Sequence, residues 1–385
     1  MLDDFGQRIR DIILSEMDLS RELSDEEICD LIGSVVSREA RDRPMTIKDR
    51  AELERTIFNS LRKLDVLQEL VDDRDVTEIM VNGPNDIFYE KAGRIQRFKG
   101  HFSSEEKLED VIQQIVGRHN RVVNQASPIV DTRLSDGSRV NIVLNPISIG
   151  GSAVSIRKFP EHPMSMERLV EIEALSPEVA RLLQILTQAK YNIFISGGTG
   201  SGKTTFLNAL SQYIPDDERI ITIEDSAELQ LLGAKNIVRL ETRNANTDGV
   251  TPITIRDLIR TALRMRPDRI IVGECRGAEA LDMLQAMNTG HDGSLSTGHA
   301  NSPHDIISRI ETMVLQGQDF PLNAIRQQIA SGIDIIVQLG RLRDKSRRVL
   351  EISEVDGFMD GEIVLHTLYR FEETAVLDSG RIQGF

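Results

Sequence analysis

The 385-residue sequence contains no tryptophan, and aromatic residues of every kind make up 4% of it. So little ring surface leaves few platforms on which nucleic-acid bases could stack. Cysteine is scarce as well. Cys29 and Cys275 fit no zinc or redox spacing, which suits a reducing compartment and predicts two ordinary buried thiols. No apolar run approaches the roughly 18 residues of a membrane-spanning helix. The opening Met1-Leu2-Asp3-Asp4 has neither the basic nor the apolar stretch of a secretory leader. The expectation is a cytoplasmic chain with no direct membrane insertion. Basic residues are outnumbered, 46 Lys and Arg against 61 Asp and Glu. The resulting formal charge of -15 opposes non-specific attraction to DNA, RNA or anionic lipid over most of the surface.

What is present is ordinary for a globular chain: 40% hydrophobic and 28% charged residues, which excludes wholesale disorder and fibrous classes. At roughly 150 residues per domain, the length predicts two or three domains. Apolar positions recur at three- and four-residue steps through Leu2, Phe5, Ile9 and Ile12, then Ile28, Leu31, Ile32, Val35 and Val36, then Leu53, Ile57, Leu61 and Leu64. They predict a helical bundle over residues 1–70, with Ser24 and Glu27 as a capping box and Pro44 in a charged break. Packed helices are the plain reading of this segment, and partner docking is the alternative.

Over residues 71–158 the pattern turns to short strands around Gly83-Pro84, Ala92-Gly93, Asp136-Gly137 and Gly150-Gly151. Ser103 and Glu106 are expected to cap an intervening helix. This is a small α+β domain. Two prolines in Phe159-Pro160-Glu161-His162-Pro163 mark a semi-rigid linker at residues 159–166. From residue 167 to 385 strands and helices alternate, predicting a parallel sheet with helices on both faces and a ligand site at the carboxyl ends of its strands.

Gly197-Gly198-Thr199-Gly200-Ser201-Gly202-Lys203-Thr204 follows an apolar strand and precedes a helical pattern. Glycines let such a loop curl so that Gly198, Thr199, Gly200, Ser201 and Gly202 offer backbone amides to phosphates. Lys203 then reaches the β and γ phosphates, Thr204 supplies a hydroxyl to Mg²⁺, and Thr205 continues the first helical turn. The rival reading, a glycine-rich turn with an accidental lysine, does not explain why strand, loop and helix all fall in place.

Arg269-Ile270-Ile271-Val272-Gly273-Glu274 is an apolar strand ending in a carboxylate, which nominates Glu274 as the acid beside the metal. The bland alternative is a glutamate serving the next helix. Glu224, Asp225 and Glu228 crowd another strand end, and spacing alone does not choose which handles water. His291 and His299 bracket a small-residue strand, either as phosphate sensors or as satisfied imidazoles. Arg133 and Arg139 flank the Asp136-Gly137 turn, where a hairpin would present two guanidinium groups to a phosphate carried by the next domain.

These motifs in this order, with Thr-Ile-Glu-Asp-x-x-Glu-Leu and Leu-Arg-x-Arg-Pro-Asp-Arg-Ile-Ile-Val-Gly-Glu-x-Arg among them, resemble the secretion-superfamily ATPases of type II and type IV secretion and type IV pili. Within that superfamily, residues 76–83, 133–141 and 263–277 look most like the CpaF type, the motor of tight-adherence (Tad, Flp) pili. The likeness runs from about residue 65 to 340. It implies an α/β fold with a RecA-like P-loop NTPase domain, preceded by a small PAS-like α+β domain and the helical bundle. It further implies a cytoplasmic homo-hexamer acting on an inner-membrane platform protein. Lys203 and Thr204 would hold ATP and Mg²⁺, Glu274 would be the Walker B acid, and Glu228 the catalytic glutamate. His291 and His299 would match the family's histidine box, and Arg133, Arg139 and Arg157 its phosphate-meeting arginines. Ser226-Ala227 departs from the proline and β-branched residue of retraction motors, which argues against retraction. Arg264 and Arg266 receive no role.

Three rivals share parts of this pattern. A helicase-type motor would share the ATP core but lacks basic surface and stacking residues here. A small-molecule kinase has no need of paired arginines in a separate domain. A nucleotide-gated scaffold would bind ATP without turnover.

Overall fold

The computed structural model describes residues 4–17, 21, 23–42, 45–117, 122–159, 163–231, 233–243, 251–378 and 380–384. Pro44, Leu2 and residues 160–162 of the expected linker lie outside them. The chain divides into two compact units, residues 1–161 and 162–385.

In the first unit, α1 (Asp4–Glu16), α2 (Asp25–Glu39) and α3 (Ile47–Arg62) bury Ile9, Ile13, Ile28, Ile32, Val35, Val36 and Ile57 against one another. Each such side chain contributes about 1.5–3 kcal/mol on leaving water. Reciprocal capping boxes start two of the helices, Ser24 with Glu27 and Thr46 with Asp49. Two expectations need correction. Cys29 is exposed, because its neighbour Ile28 takes the inward face of α2. Leu64 does not extend the third helix, since Lys63 adopts extended backbone beyond α3. Leu64 instead joins Leu67 and Leu70, the latter on α4 (Gln68–Asp72), in the core of the sheet that follows.

That sheet comprises β1 (Val76–Asn82), β2 (Ile87–Lys91), β3 (Arg94–Arg97), β4 (Ile129–Arg133), β5 (Arg139–Val143) and β6 (Ala153–Arg157), in the order β3-β2-β1-β6-β5-β4 with antiparallel neighbours throughout. Ala92 and Gly93 both take positive φ, as a two-residue hairpin turn requires. Helix α5 (Glu105–Gly117) packs Leu108, Val111, Ile112, Ile115 and Val116 into the same core as Ile79, Val140 and Ile156. Its cap is Ser104 rather than the expected Ser103: Ser104 Oγ accepts from the Lys107 amide at 3.2 Å. Lys107 Nζ and Gln114 Nε2 donate to the Ser60 and Arg62 carbonyls at the end of α3, tying the bundle to α5.

The second unit runs α6 (Met166–Glu171), α7 (Pro177–Gln188), β7 (Ile193–Gly197), α8 (Lys203–Ser211), β8 (Arg219–Glu224), β9 (Asn236–Glu241), α9 (Ile255–Ala262), β10 (Arg269–Val272), α10 (Glu279–Met287), β11 (Leu295–Gly298), α11 (Pro303–Gly317), α12 (Leu322–Gly332), β12 (Ile335–Arg341), β13 (Arg347–Met359), β14 (Glu362–Arg370), β15 (Glu373–Val376) and β16 (Ile382–Gly384). The main sheet has the order β14-β13-β12-β7-β11-β10-β8-β9. Strands β12, β7, β11, β10, β8 and β9 are mutually parallel, as the alternation predicts. The sheet is mixed rather than wholly parallel, because β13 and β14 add as antiparallel strands. A short turn after β12 permits only that direction.

Alternate residues of each central strand feed opposite faces. Phe194, Ile221, Ile223, Ile270 and Val272 meet α9 to α12, whereas Ile193, Ile195, Ile220 and Ile271 meet α6 to α8. Strand β7 is therefore buried along its whole length. The carboxyl ends of β7, β8, β10 and β11 emerge along one edge, which is where the motifs sit.

Candidate active site

At that edge the chain leaves β7 at Gly197 and enters α8 at Lys203. Gly202 is the helix N-cap, with φ of +96° and no side-chain cap, so the first amides of α8 carry no protein side-chain acceptor there. A side chain at Gly202 would strain the left-handed backbone. Lys203 Nζ turns back over the loop and donates to the carbonyls of Gly197 at 3.1 Å and Gly198 at 3.3 Å. Burial lowers its pKa, Glu274 raises it, and Arg276 adds a further lowering. Ser201 Oγ is buried with no hydrogen-bond partner among the described residues. A Cβ on Gly198 or Gly200 would meet nothing within 4 Å, so no neighbouring atom packs against the loop at those two positions. Curled backbone, a helix N-terminus without a side-chain cap, a buried hydroxyl and a captive ammonium together fit an oxyanion chain such as a polyphosphate. Thr204 follows half-buried and Thr205 exposed.

Three strand ends bring the remaining chemistry to this loop. His299, just past β11, lies with Nδ1 3.1 Å from Lys203 Nζ and with Nε2 2.6 Å from Glu274 Oε1, just past β10. Burial and the adjacent Lys203 cation push the His299 pKa down, against the pull of Glu274. Arg276 Nη2 donates to Glu274 Oε2 at 2.5 Å, and its Nη1 is 4.0 Å from Asp225. The charges of Glu274, Asp225 and Glu228 all raise the Arg276 pKa, so one guanidinium faces the whole acidic group. Burial raises the Asp225 pKa, and Arg276 opposes that rise.

The three acids after β8 differ in what they touch. Glu224 is buried, and its Oε1 accepts from the amides of Glu228 and Leu229 at 2.9 Å each, so it shapes the turn that carries Glu228. Gly273 lets β8 and β10 approach this closely, because a Cβ there would lie 2.8 Å from Glu224 Cγ. Glu228 itself is half-buried. Arg276 closes the strand-end motif that carries Glu274, and from the sequence alone it has no assigned role. The signal was its place as the only cation of that strand-end stretch, two residues after Glu274.

His291 is not brought to this cluster. It precedes β11 at the opposite, amino edge of the sheet, where its Nδ1 lies 3.2 Å from the Ala286 carbonyl. The two histidines end up a full strand apart because an extended segment cannot fold both onto one edge. That amino edge is locked by fully buried Arg269, which pairs with Glu218 through Nε and Nη2 and donates to the Thr187 and Gly293 carbonyls.

In the first unit, Arg133 stands directly opposite Arg139 across β4 and β5, and Arg139 directly opposite Arg157 across β5 and β6. Glu78 continues the row on β1. Like charges at facing positions are unfavourable in a sheet, and an anion placed on the row would relieve that repulsion.

Residues 60–375 match the family described as Type II/IV secretion system protein. The chain belongs to that family. A putative conjugal transfer protein of Mycobacterium tuberculosis is 33% identical to this secretion-family chain over 322 residues, covering 81% of this chain and 91% of the relative. The type IV secretion system protein PtlH of Bordetella pertussis is 33% identical over 320 residues, covering 76% and 94%. Among solved structures, that of the pilus retraction motor PilT with bound ADP superposes with a TM-score of 0.57 at 23% identity, covering 80% of this chain and 82% of that one. That likeness speaks to fold: the second unit is a RecA-like α/β domain, with the N-terminal helices and small domain before it. The type II/IV secretion motors are the superfamily that the sequence motifs resemble. Among the described residues no helix is long and apolar enough to cross a membrane.

Proposed function

We propose that this chain is an ATP-hydrolysing motor of a Tad/Flp-type pilus, working as a homo-hexamer against an inner-membrane platform protein, with the 159–166 linker as its hinge. The observation that carries the reading is the convergence of Lys203, His299 and Glu274 on one glycine loop. Lys203 and the loop amides bind the triphosphate and hold its charge. Thr204 and Glu274 would hold the Mg²⁺ that accompanies the nucleotide, and the ion would supply charge neutralisation for the phosphates. No three His, Cys, Asp or Glu side chains converge on a metal cage among the described residues, which suits an ion held mostly by phosphate and water. Glu228 orients the attacking water and accepts its proton. His299 bridges Lys203 and Glu274, and Arg276 sets a positive charge beside Glu274 and Asp225. Arg133, Arg139 and Arg157 supply a cationic row for nucleotide phosphate, which for a supplied arginine is worth about 10³–10⁵ in rate. His291 acts at a distance, as a relay at the amino edge.

Phosphate release from MgATP with no acceptor present tests the reaction, and electron microscopy of the nucleotide-bound chain tests the ring. Turnover that appears only with a small-molecule acceptor would favour a kinase instead.

A further inference from the structure

We infer that Arg347 is a positioning residue of the phosphate cradle, acting through the Gly200–Ser201 peptide; the inference rests on the nucleotide reading of that loop. Arg347 opens β13, and its Nε donates to the Gly200 carbonyl at 2.8 Å. Its Cδ lies 3.5 Å from where a Cβ on Gly202 would stand, so the side chain lies along the outside of the loop. In a trans peptide the carbonyl and the following amide point opposite ways. A guanidinium holding the Gly200 oxygen outward therefore turns the Ser201 amide inward, where it donates to the Gly198 carbonyl across a long 3.3 Å.

The need for such a clamp comes from the glycines themselves. Gly200 and Gly202 both sit at positive φ on either side of Ser201. Glycine populates several backbone regions with little preference, so nothing intrinsic keeps this peptide from rotating. Rotated, it would present a carbonyl oxygen to an arriving phosphate in place of an amide. Arg347 removes that alternative before the ligand binds, which is preorganisation of the site.

The clamp is held from behind by the C-terminal hairpin. In the turn leading into β13, Asp344 Oδ2 accepts from the Ile382 amide at 2.8 Å, and Arg343 pairs with Glu373. Arg348, adjacent to Arg347 and buried, donates to the Ile382 carbonyl at 2.7 Å and to the Glu173 carbonyl at 2.8 Å. With Arg348 anchored, the start of β13 cannot roll, and Arg347 stays directed at the loop.

The test is calorimetric titration of the full chain with MgATP, MgADP and inorganic pyrophosphate, with ATPase kinetics alongside. Arg347→Ala is expected to bind all three about tenfold more weakly, the loss of one charge-assisted hydrogen bond. KM for ATP rises by a similar factor while kcat at saturation stays within about twofold. Arg347→Lys, whose ammonium also donates to a carbonyl, recovers most of the affinity, and Lys345→Ala on the same turn changes nothing. Unchanged affinity in Arg347→Ala overturns the inference, as does a loss that spares pyrophosphate or that Lys fails to repair. A wild-type chain that takes up no MgATP ends the nucleotide reading itself, and this assignment with it.

Discussion

His299 stands between Lys203 and Glu274, one ring nitrogen 3.1 Å from the ammonium and the other 2.6 Å from the carboxylate. A single imidazole thus links the glycine-loop cation to the acid of the neighbouring strand end, and the burial and the Lys203 charge that lower the His299 pKa oppose the pull of Glu274. His299→Ala is expected to leave MgADP affinity within about threefold while lowering kcat by about ten- to a hundredfold, the range of a positioned proton-handling group. Single-turnover kinetics beside equilibrium titration make the distinction.

Lys203→Ala removes the charge that the loop carbonyls hold in place. Nucleotide affinity and turnover should both vanish. Normal turnover in this variant would remove the P-loop from the mechanism.

Glu228→Gln and Glu274→Gln should fail differently. The first retains MgATP binding and loses hydrolysis, since the amide cannot accept a proton from water. The second weakens metal-dependent steps first, read as a rise in the Mg²⁺ concentration needed for half-maximal rate. Full activity in both would reject the assignment of the two acids.

Gly273→Ala places a methyl 2.8 Å from Glu224 Cγ, where two strand ends press together. Overpacking of this kind costs about 1–3 kcal/mol, and here it also displaces the carboxylate that holds the Glu228 turn. Both the thermal midpoint and the hydrolysis rate should fall, with MgADP affinity retained. A variant with wild-type stability and rate would show that the approach is looser than the geometry indicates.

The C-terminal hairpin should be sensitive to acid. Backbone hydrogen bonds from Ile382 and Ser346, with the Ser346 hydroxyl, hold the Asp344 carboxyl down to about 2. Its folded value lies below the unfolded one, so the stabilisation is present above the ordinary carboxylate range and disappears as the pH falls through about 2. An NMR titration of the Ile382 amide should show a midpoint near that value, and a midpoint near 4 would show that the bond carries little weight.

Much of the site was legible because its signals are local. A glycine loop between an apolar strand and a helix, a carboxylate ending another strand, and capping residues such as Ser24 with Glu27 depend on neighbours a few positions away. His291 and His299 were expected together, and their split was not legible, since nothing in their spacing told which sheet edge each would reach. Arg276 went unassigned for the same reason: its partners Asp225 and Glu228 are separated from it by some fifty residues and meet it only where β8 and β10 pair. Leu64 kept a helical spacing that the chain abandons once Lys63 turns extended.

By itself, then, the sequence determined most of the elements, the glycine-rich loop between strand and helix, and the family, because backbone preference and side-chain chemistry act over one or two turns. Only the tertiary structure decided that Arg133, Arg139 and Arg157 form one row, that His299 and not His291 attends Lys203, and that Arg347 lies on Gly200. Strand order and register are set by the packing of the whole core, and a shift of one residue would send each of those side chains to the other face.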